Sequence, residues 1–219
     1  MLKDSANDHD LNPVIHPAWL RVSHWINVVA IIVMIMSGWR IYNASPLFDF
    51  YFPQSITLGG WLGGALLWHF AAMWVFAING VFYILMNIIS RKFLYKIFPL
   101  KINYLLNDIK NLLKGNLSHD DSGKYNQIQR IFYLFIILDL IFILMSGLVL
   151  WKSTQFPFLR ELMGGYETAR WIHFCCMSVI VAFAVLHIFM AFLVPKSLAS
   201  MVLGRSFSKK SSQPNYEQQ

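Results

Sequence analysis

The sequence predicts an all-α membrane protein built as a four-transmembrane-helix bundle, and three observations carry that prediction. The first is composition: of 219 residues, 57% are hydrophobic and only 13% charged, about half the charged share of a soluble domain. The second is segmentation, because four stretches nearly free of charge each reach the roughly 20 residues needed to cross hydrocarbon. The third is the gathering of lysine and arginine in the connection after the second stretch and in the C-terminal tail. A chain with mean hydropathy +0.49 has too few charges to cover a water-facing surface.

The first stretch, Val22 to Trp39, gives a span at about 22–42. The second lies in the uncharged run from Phe50 to Ser90, and its helix is expected to start near Leu58, after Pro53, giving 58–89. The third, Ile131 to Trp151, is interrupted only by Asp139 and gives 129–151, and the fourth, Trp171 to Pro195, gives 169–194. Runs this long without period-two alternation are helices, since only helices and closed barrels satisfy every backbone group in lipid. The chain therefore divides into a tail at 1–21, a transmembrane domain at 22–195 and a second tail at 196–219. The first thirteen residues carry Asp4, Asp8 and Asp10 and no apolar run, so they do not read as a signal peptide.

Direction follows from the basic residues. Arg91, Lys92, Lys96, Lys101, Lys110, Lys114 and Lys124 crowd the long connection, and Lys196, Arg205, Lys209 and Lys210 the C-terminal tail. The positive-inside rule puts both termini and that connection in the cytoplasm. A net charge of +7 then belongs to cytoplasmic loops and not to nucleic-acid binding. Trp39, Trp61, Trp151 and Trp171 form an outer aromatic belt, with Trp19 and Trp25 on the inner side. Within the connection, Ile102, Leu105, Leu106, Ile109, Leu112 and Leu113 follow helical spacing up to Gly115. That pattern is a cytoplasmic amphipathic helix on the inner leaflet, or a short packing helix.

Cysteine chemistry is nearly excluded. Cys175 and Cys176 are adjacent and alone, so there is no disulfide framework, iron–sulfur set, CxxC zinc pair or CxxCH haem attachment. Histidine is different, for four of the seven histidines fall in spans: His24, His69, His173 and His187. Ionisable groups at membrane depth are costly and usually functional. His173 and His187, 14 residues apart on one helix, fall about 40° short of four full turns and about 21 Å apart, so they share a face near opposite membrane sides. With alternating span directions, His24 meets His187 on the inner side and His69 meets His173 on the outer side. Facing imidazoles are the axial ligands of a b-type haem, and two stacked pairs make a transmembrane electron path. Each histidine alone could be a packing residue. Zinc is disfavoured because no cysteine or carboxylate supplies further ligands at either depth, Asp139 falling between the two.

Other residues fit a cofactor of this kind. Gly38 is 14 residues beyond His24 and Gly80 is 11 beyond His69, nearly in phase, where a flat macrocycle meets backbone. Arg40 and Arg170 border the outer pair, and Arg21 and Arg130 the inner one, as propionate partners or as boundary anchors. Gly59, Gly60, Gly63 and Gly64 read as small residues for helix–helix packing. Ser37-Gly38 and Ser146-Gly147 end the two outward spans alike, which suggests an internal repeat. His9, His16 and His119 lie outside the spans.

Several segments carry a family likeness: HPAWLRVSHWIN around His24, SGWRIYNASP after it, LGGWLGGALLWHFAAMW around His69, KYNQIQRIFY before the third span, ARWIHF at His173, and HIFMAFLVP with SLASMVLGR from His187. On these, from Val14 to Gly204, the chain resembles the bacterial di-haem cytochrome b family, the membrane subunits of nickel–iron hydrogenase, formate dehydrogenase and thiosulfate reductase. WHFAAMW and KYNQIQR look closest to the thiosulfate-reductase-type subgroup. The resemblance implies that His24, His69, His173 and His187 ligate two non-covalent haem b groups. It also implies a multi-pass protein of the bacterial inner membrane, exchanging electrons between membrane quinone and a separate catalytic chain, often a periplasmic molybdenum oxidoreductase. Cys175-Cys176 and Asp139 are not part of that pattern. The alternatives are a stand-alone quinone oxidoreductase fed by a small diffusible donor, and a haem-free scaffold or transporter.

Overall fold

The structure, a computed structural model, describes residues 16–90, 127–193 and 195–204; the side chains of 127–130, 196 and 197 fall outside that description. Helices account for its elements: α1 Ala18–Ala44, α2 Leu62–Ile89, α3 Gln127–Lys152, α4 Pro157–Leu162, α5 Tyr166–Leu193 and α6 Pro195–Leu203. Among the described residues no strand occurs. Four of the helices, α1, α2, α3 and α5, are long and apolar enough to cross a membrane, which is the fold class expected from composition. The proposed amphipathic helix at 102–113 lies outside the described residues.

The spans pack as two antiparallel pairs, α1 with α2 and α3 with α5. Lipid offers no hydrophobic drive between helices, so close packing depends on small residues that let backbones approach. The seams obey this: Ala30, Ala65 and Ala72 are buried in the first pair, and Ser146 and Ala169 in the second. Large apolar side chains such as Leu67, Ile78, Phe189 and Phe192 face outward, where hydrocarbon replaces water as their surroundings. A polar link also ties α1 to α2, with Asn79 Nδ2 donating to the Ser23 carbonyl at 2.8 Å and to Asn27 Oδ1 at 2.7 Å.

The connection from α1 to α2 is held in place. Asn43 and Phe52 exchange two hydrogen bonds, Nδ2 to carbonyl at 2.8 Å and backbone N–H to Oδ1 at 2.9 Å. Tyr42 stacks on Phe174 of α5 at 5.2 Å, and Phe48 meets Trp171 edge-on at 5.0 Å. Arg170 donates to the Ser45 carbonyl and, at 2.9 Å, to Ser45 Oγ. This end of the bundle is the loop side; the other, where α1 begins and α5 ends, is the tail side.

One expectation is corrected here. The helix after Pro53 begins at Leu62 and not near Leu58, because Gly59 and Gly60 adopt φ of +104° and +69°, a left-handed region open to glycine at little cost. A short 3-10 turn, Gln54–Ile56, precedes them. The GGWLGG run is therefore a helix-starting turn and not a helix–helix contact: a Cβ at Gly63 would strike the Trp61 ring, and one at Gly64 the Gly59 carbonyl.

Candidate functional site

The four span histidines come together two by two. On the loop side, His69 of α2 and His173 of α5 have ring centroids 6.5 Å apart with planes at 63°. On the tail side, His24 of α1 and His187 of α5 are 6.1 Å apart at 60°. A metal ion bound by both imidazoles at about 2.0–2.1 Å, with each nitrogen about 1.1 Å from its ring centre, places the centroids roughly 6.3 Å apart. Both pairs sit at that spacing. Among the described residues no set of three or more His, Cys, Asp or Glu gathers to hold a metal. Each centre therefore offers two protein ligands, the donor set that suits an iron whose remaining positions come from a porphyrin.

Ring orientation on the loop side is set by the span preceding each histidine's own, α1 for His69 and α3 for His173. His69 Nδ1 lies 3.1 Å from the Met34 carbonyl and 3.1 Å from Ser37 Oγ. Ser37 donates its own hydrogen to the Val33 carbonyl at 2.6 Å, so its oxygen is left to accept. A carbonyl can only accept, hence Nδ1 carries the hydrogen and Nε2 keeps the lone pair for a metal. His173 repeats the arrangement with the Ile143 carbonyl at 3.2 Å and Ser146 Oγ at 3.1 Å, and Ser146 donates to the Phe142 carbonyl at 2.8 Å. Glycine follows each serine: a Cβ at Gly38 would stand 3.5 Å from His69 Cε1, and one at Gly147 3.3 Å from His173 Cε1.

The two helix pairs are thus copies of one motif. Adding 109 to 33, 34, 37 and 38 gives 142, 143, 146 and 147, and adding 104 to Ala65 and His69 gives Ala169 and His173. Ala65 and Ala169 are both fully buried. The SG dipeptide was the visible trace of this repeat in the sequence. That its serine and a carbonyl one turn earlier would grip the histidine of the next span was not legible.

The tail-side pair is framed differently. His24 packs edge-on to Trp25 at 5.5 Å, and His187 stacks on Phe183 at 5.7 Å and 19°. His187 is exposed and His24 half-buried. Of the other sequence candidates, Gly80 faces open space, with nothing within 4 Å of where a Cβ would be. Gly38 abuts the His69 ring itself. Arg21 donates to the Val202 carbonyl at 2.6 Å, capping the C-terminus of α6 where cationic groups are favoured. Gly204, at φ +80°, allows this, since a Cβ there would lie 2.9 Å from Arg21 Cζ. Arg170 binds Ser45 and pairs with Glu167 at 3.4 Å. Arg40 is half-buried, and the Arg130 side chain falls outside the described residues.

Comparison with known proteins matches residues 15–204 to the family described as prokaryotic cytochrome b561. The chain belongs to the prokaryotic cytochrome b561 family. As a cytochrome b561-type protein it is a multi-pass bacterial membrane protein of electron transport that binds haem b. It is 57% identical over 190 residues to the "Putative protein-methionine-sulfoxide reductase subunit YedZ1" of Azospira oryzae, covering 87% of this chain and 96% of that relative. It is 28% identical over 196 residues to the cytochrome b556(Fdn) subunit of the nitrate-inducible formate dehydrogenase of Escherichia coli K12, covering 84% of this chain and 80% of that relative. A cytochrome b561 of this family has a haem to place, and the histidine pairs offer positions with matching donors.

Proposed function

We propose that this cytochrome is a di-haem electron carrier linking the membrane quinone pool to a partner redox enzyme, a periplasmic molybdenum oxidoreductase. His69 and His173 would hold one haem and His24 and His187 the other. The observation that carries the reading is the pair of ring separations, 6.5 and 6.1 Å, each matching two imidazoles on one metal. Haem bound there would supply a one-electron couple.

The remaining work falls to this chain's own residues. Met34, Ser37, Ile143 and Ser146 fix the loop-side rings with Nε2 inward. Gly80 leaves room at a macrocycle edge. Propionate contacts are assigned to Arg40, which makes no hydrogen bond or ion pair among the described residues, to Arg130, and to the unspent donors of Arg21 and Arg170. An apolar groove of about 750 Å³ lies between α1 and α2, reaching from Arg21 and Val202 to Val33 and Trp68. It supports access for an amphiphile such as a quinone, and Trp25 both lines the groove and touches His24. The relatives' names, as subunits of larger reductase and dehydrogenase complexes, support a catalytic partner on another chain. The positive-inside reading places that partner at the loop side, with both termini cytoplasmic.

A visible spectrum of the purified protein with haem counted per chain tests the proposal. Two low-spin haems per chain are expected. A colourless protein or a single haem would refute it.

A further inference from the structure

Midway between the two imidazole levels the bundle carries a carboxyl that helix packing does not require. Asp139 of α3 is 7% exposed, its Oδ2 is buried with no hydrogen-bond partner, and it faces the Cys176 thiol of α5. Asp139 precedes Ser146 by seven residues, which places it within about 20° of the same helix face and about 10.5 Å nearer the tail side. Ser146 touches His173, and His187 lies about 21 Å along α5 from His173, so Asp139 falls at mid-depth.

The internal repeat supplies the control. Subtracting 109 from Asp139 gives Ala30, and subtracting 104 from Cys176 gives Ala72. These alanines are 3% and 6% exposed, so the equivalent seam of the first pair closes on methyl groups. Close packing at this crossing therefore needs neither the acid nor the thiol. A carboxylate at such depth is costly without positive charge nearby. Among the described residues Cys176 is the titratable group facing it from α5, with His173 one level above and His187 one below. No lysine, arginine or glutamate lies inside α1 between Arg21 and Arg40, in α2, in α3 between Ile131 and Trp151, or in α5 beyond Arg170.

We infer that Asp139 is a proton-binding site linked to the electron load of the bundle, taking up one proton as an electron enters and releasing it as the electron leaves. The inference rests on the two-haem reading above. A ferric bis-imidazole haem core carries one positive charge and a ferrous core none. That positive charge, held at the histidine levels above and below in a medium of low dielectric, would be the available stabiliser of an Asp139 carboxylate. The balance is one electron from a membrane quinol or the partner enzyme, reducing one ferric centre, and one proton from water, converting the carboxylate to the acid. No bond to sulfur forms or breaks. By linkage, proton binding must raise the midpoint potential as much as reduction favours the proton.

Optical redox titration of the haem-loaded protein across pH tests this. The unmodified protein is expected to lose midpoint potential as pH rises, by up to about 59 mV per unit for one proton per electron. Asp139→Asn flattens that slope, and so does the double change Asp139→Ala with Cys176→Ala, which reproduces the alanines of the first pair and so protects folding. Cys176→Ala alone keeps the slope. Infrared difference spectra of the unmutated protein should show a protonated-carboxyl band on reduction that shifts in D2O. An unchanged slope in both Asp139 variants, or no such band, overturns the inference. A haem count other than two, measured first, sinks the underlying reading instead.

Discussion

The loop-side and tail-side histidine pairs have nearly equal ring separations but differ in what holds them. At the loop side each ring is gripped from behind by a serine and a carbonyl of the neighbouring helix, and the α1–α2 connection is fixed over that end by Asn43, Tyr42 and Arg170. At the tail side the rings rest on aromatic neighbours, and among the described residues neither is bonded to a carbonyl or hydroxyl. The loop-side pair is preorganised by the protein. The tail-side pair has no such grip from a neighbouring helix among the described residues.

The largest effect should come from the ligands themselves. Alanine at His69 or His173 is expected to remove one haem per chain and leave the tail-side spectrum, while alanine at His24 or His187 does the reverse. Unchanged stoichiometry in all four, read by haem assay, would break the comparison at its root. Next in size, stepwise detergent or denaturant challenge should release the tail-side haem before the loop-side one. The reverse order, followed optically in His24→Ala and His173→Ala proteins, would show that the bonded rings confer no advantage.

Smaller effects separate the two copies of the motif. Gly147→Ala sets a methyl 3.3 Å from His173 and Gly38→Ala one 3.5 Å from His69, so the first should disturb loop-side haem retention and the second much less. Smallest of all, Ser37→Ala or Ser146→Ala leaves the carbonyl bond to Nδ1 in place and should cost about 0.5–1.5 kcal/mol of stability. A modest shift of the loop-side midpoint alone should accompany it. Equal shifts at both sites would mean that the serines act on the whole bundle.

Much of this organisation was legible because membrane depth writes itself into composition. Charge-free runs located the four spans, and helical spacing put His173 and His187 on one face. The start of α2 was misjudged because Gly59 and Gly60 follow directly on an uncharged run, and a positive φ leaves no hydropathy signal. The serine–carbonyl grip on His69 and His173 was hidden because it joins residues 32 and 27 positions apart. Only the tertiary pairing of helices reveals which atoms meet. The Asp139–Cys176 contact was obscured for the same reason: each residue looked like an isolated oddity until the repeat aligned it with Ala30 and Ala72.

The clasp between Arg21 and the Val202 carbonyl joins positions 181 residues apart, tying the start of α1 to the end of α6. That fastening can form only once α6 has been synthesised. A protein shortened ahead of α6 would carry the same four spans and the same histidines, yet lack the stitch beside His24. The more open of the two imidazole pairs would then also stand at an unfastened edge.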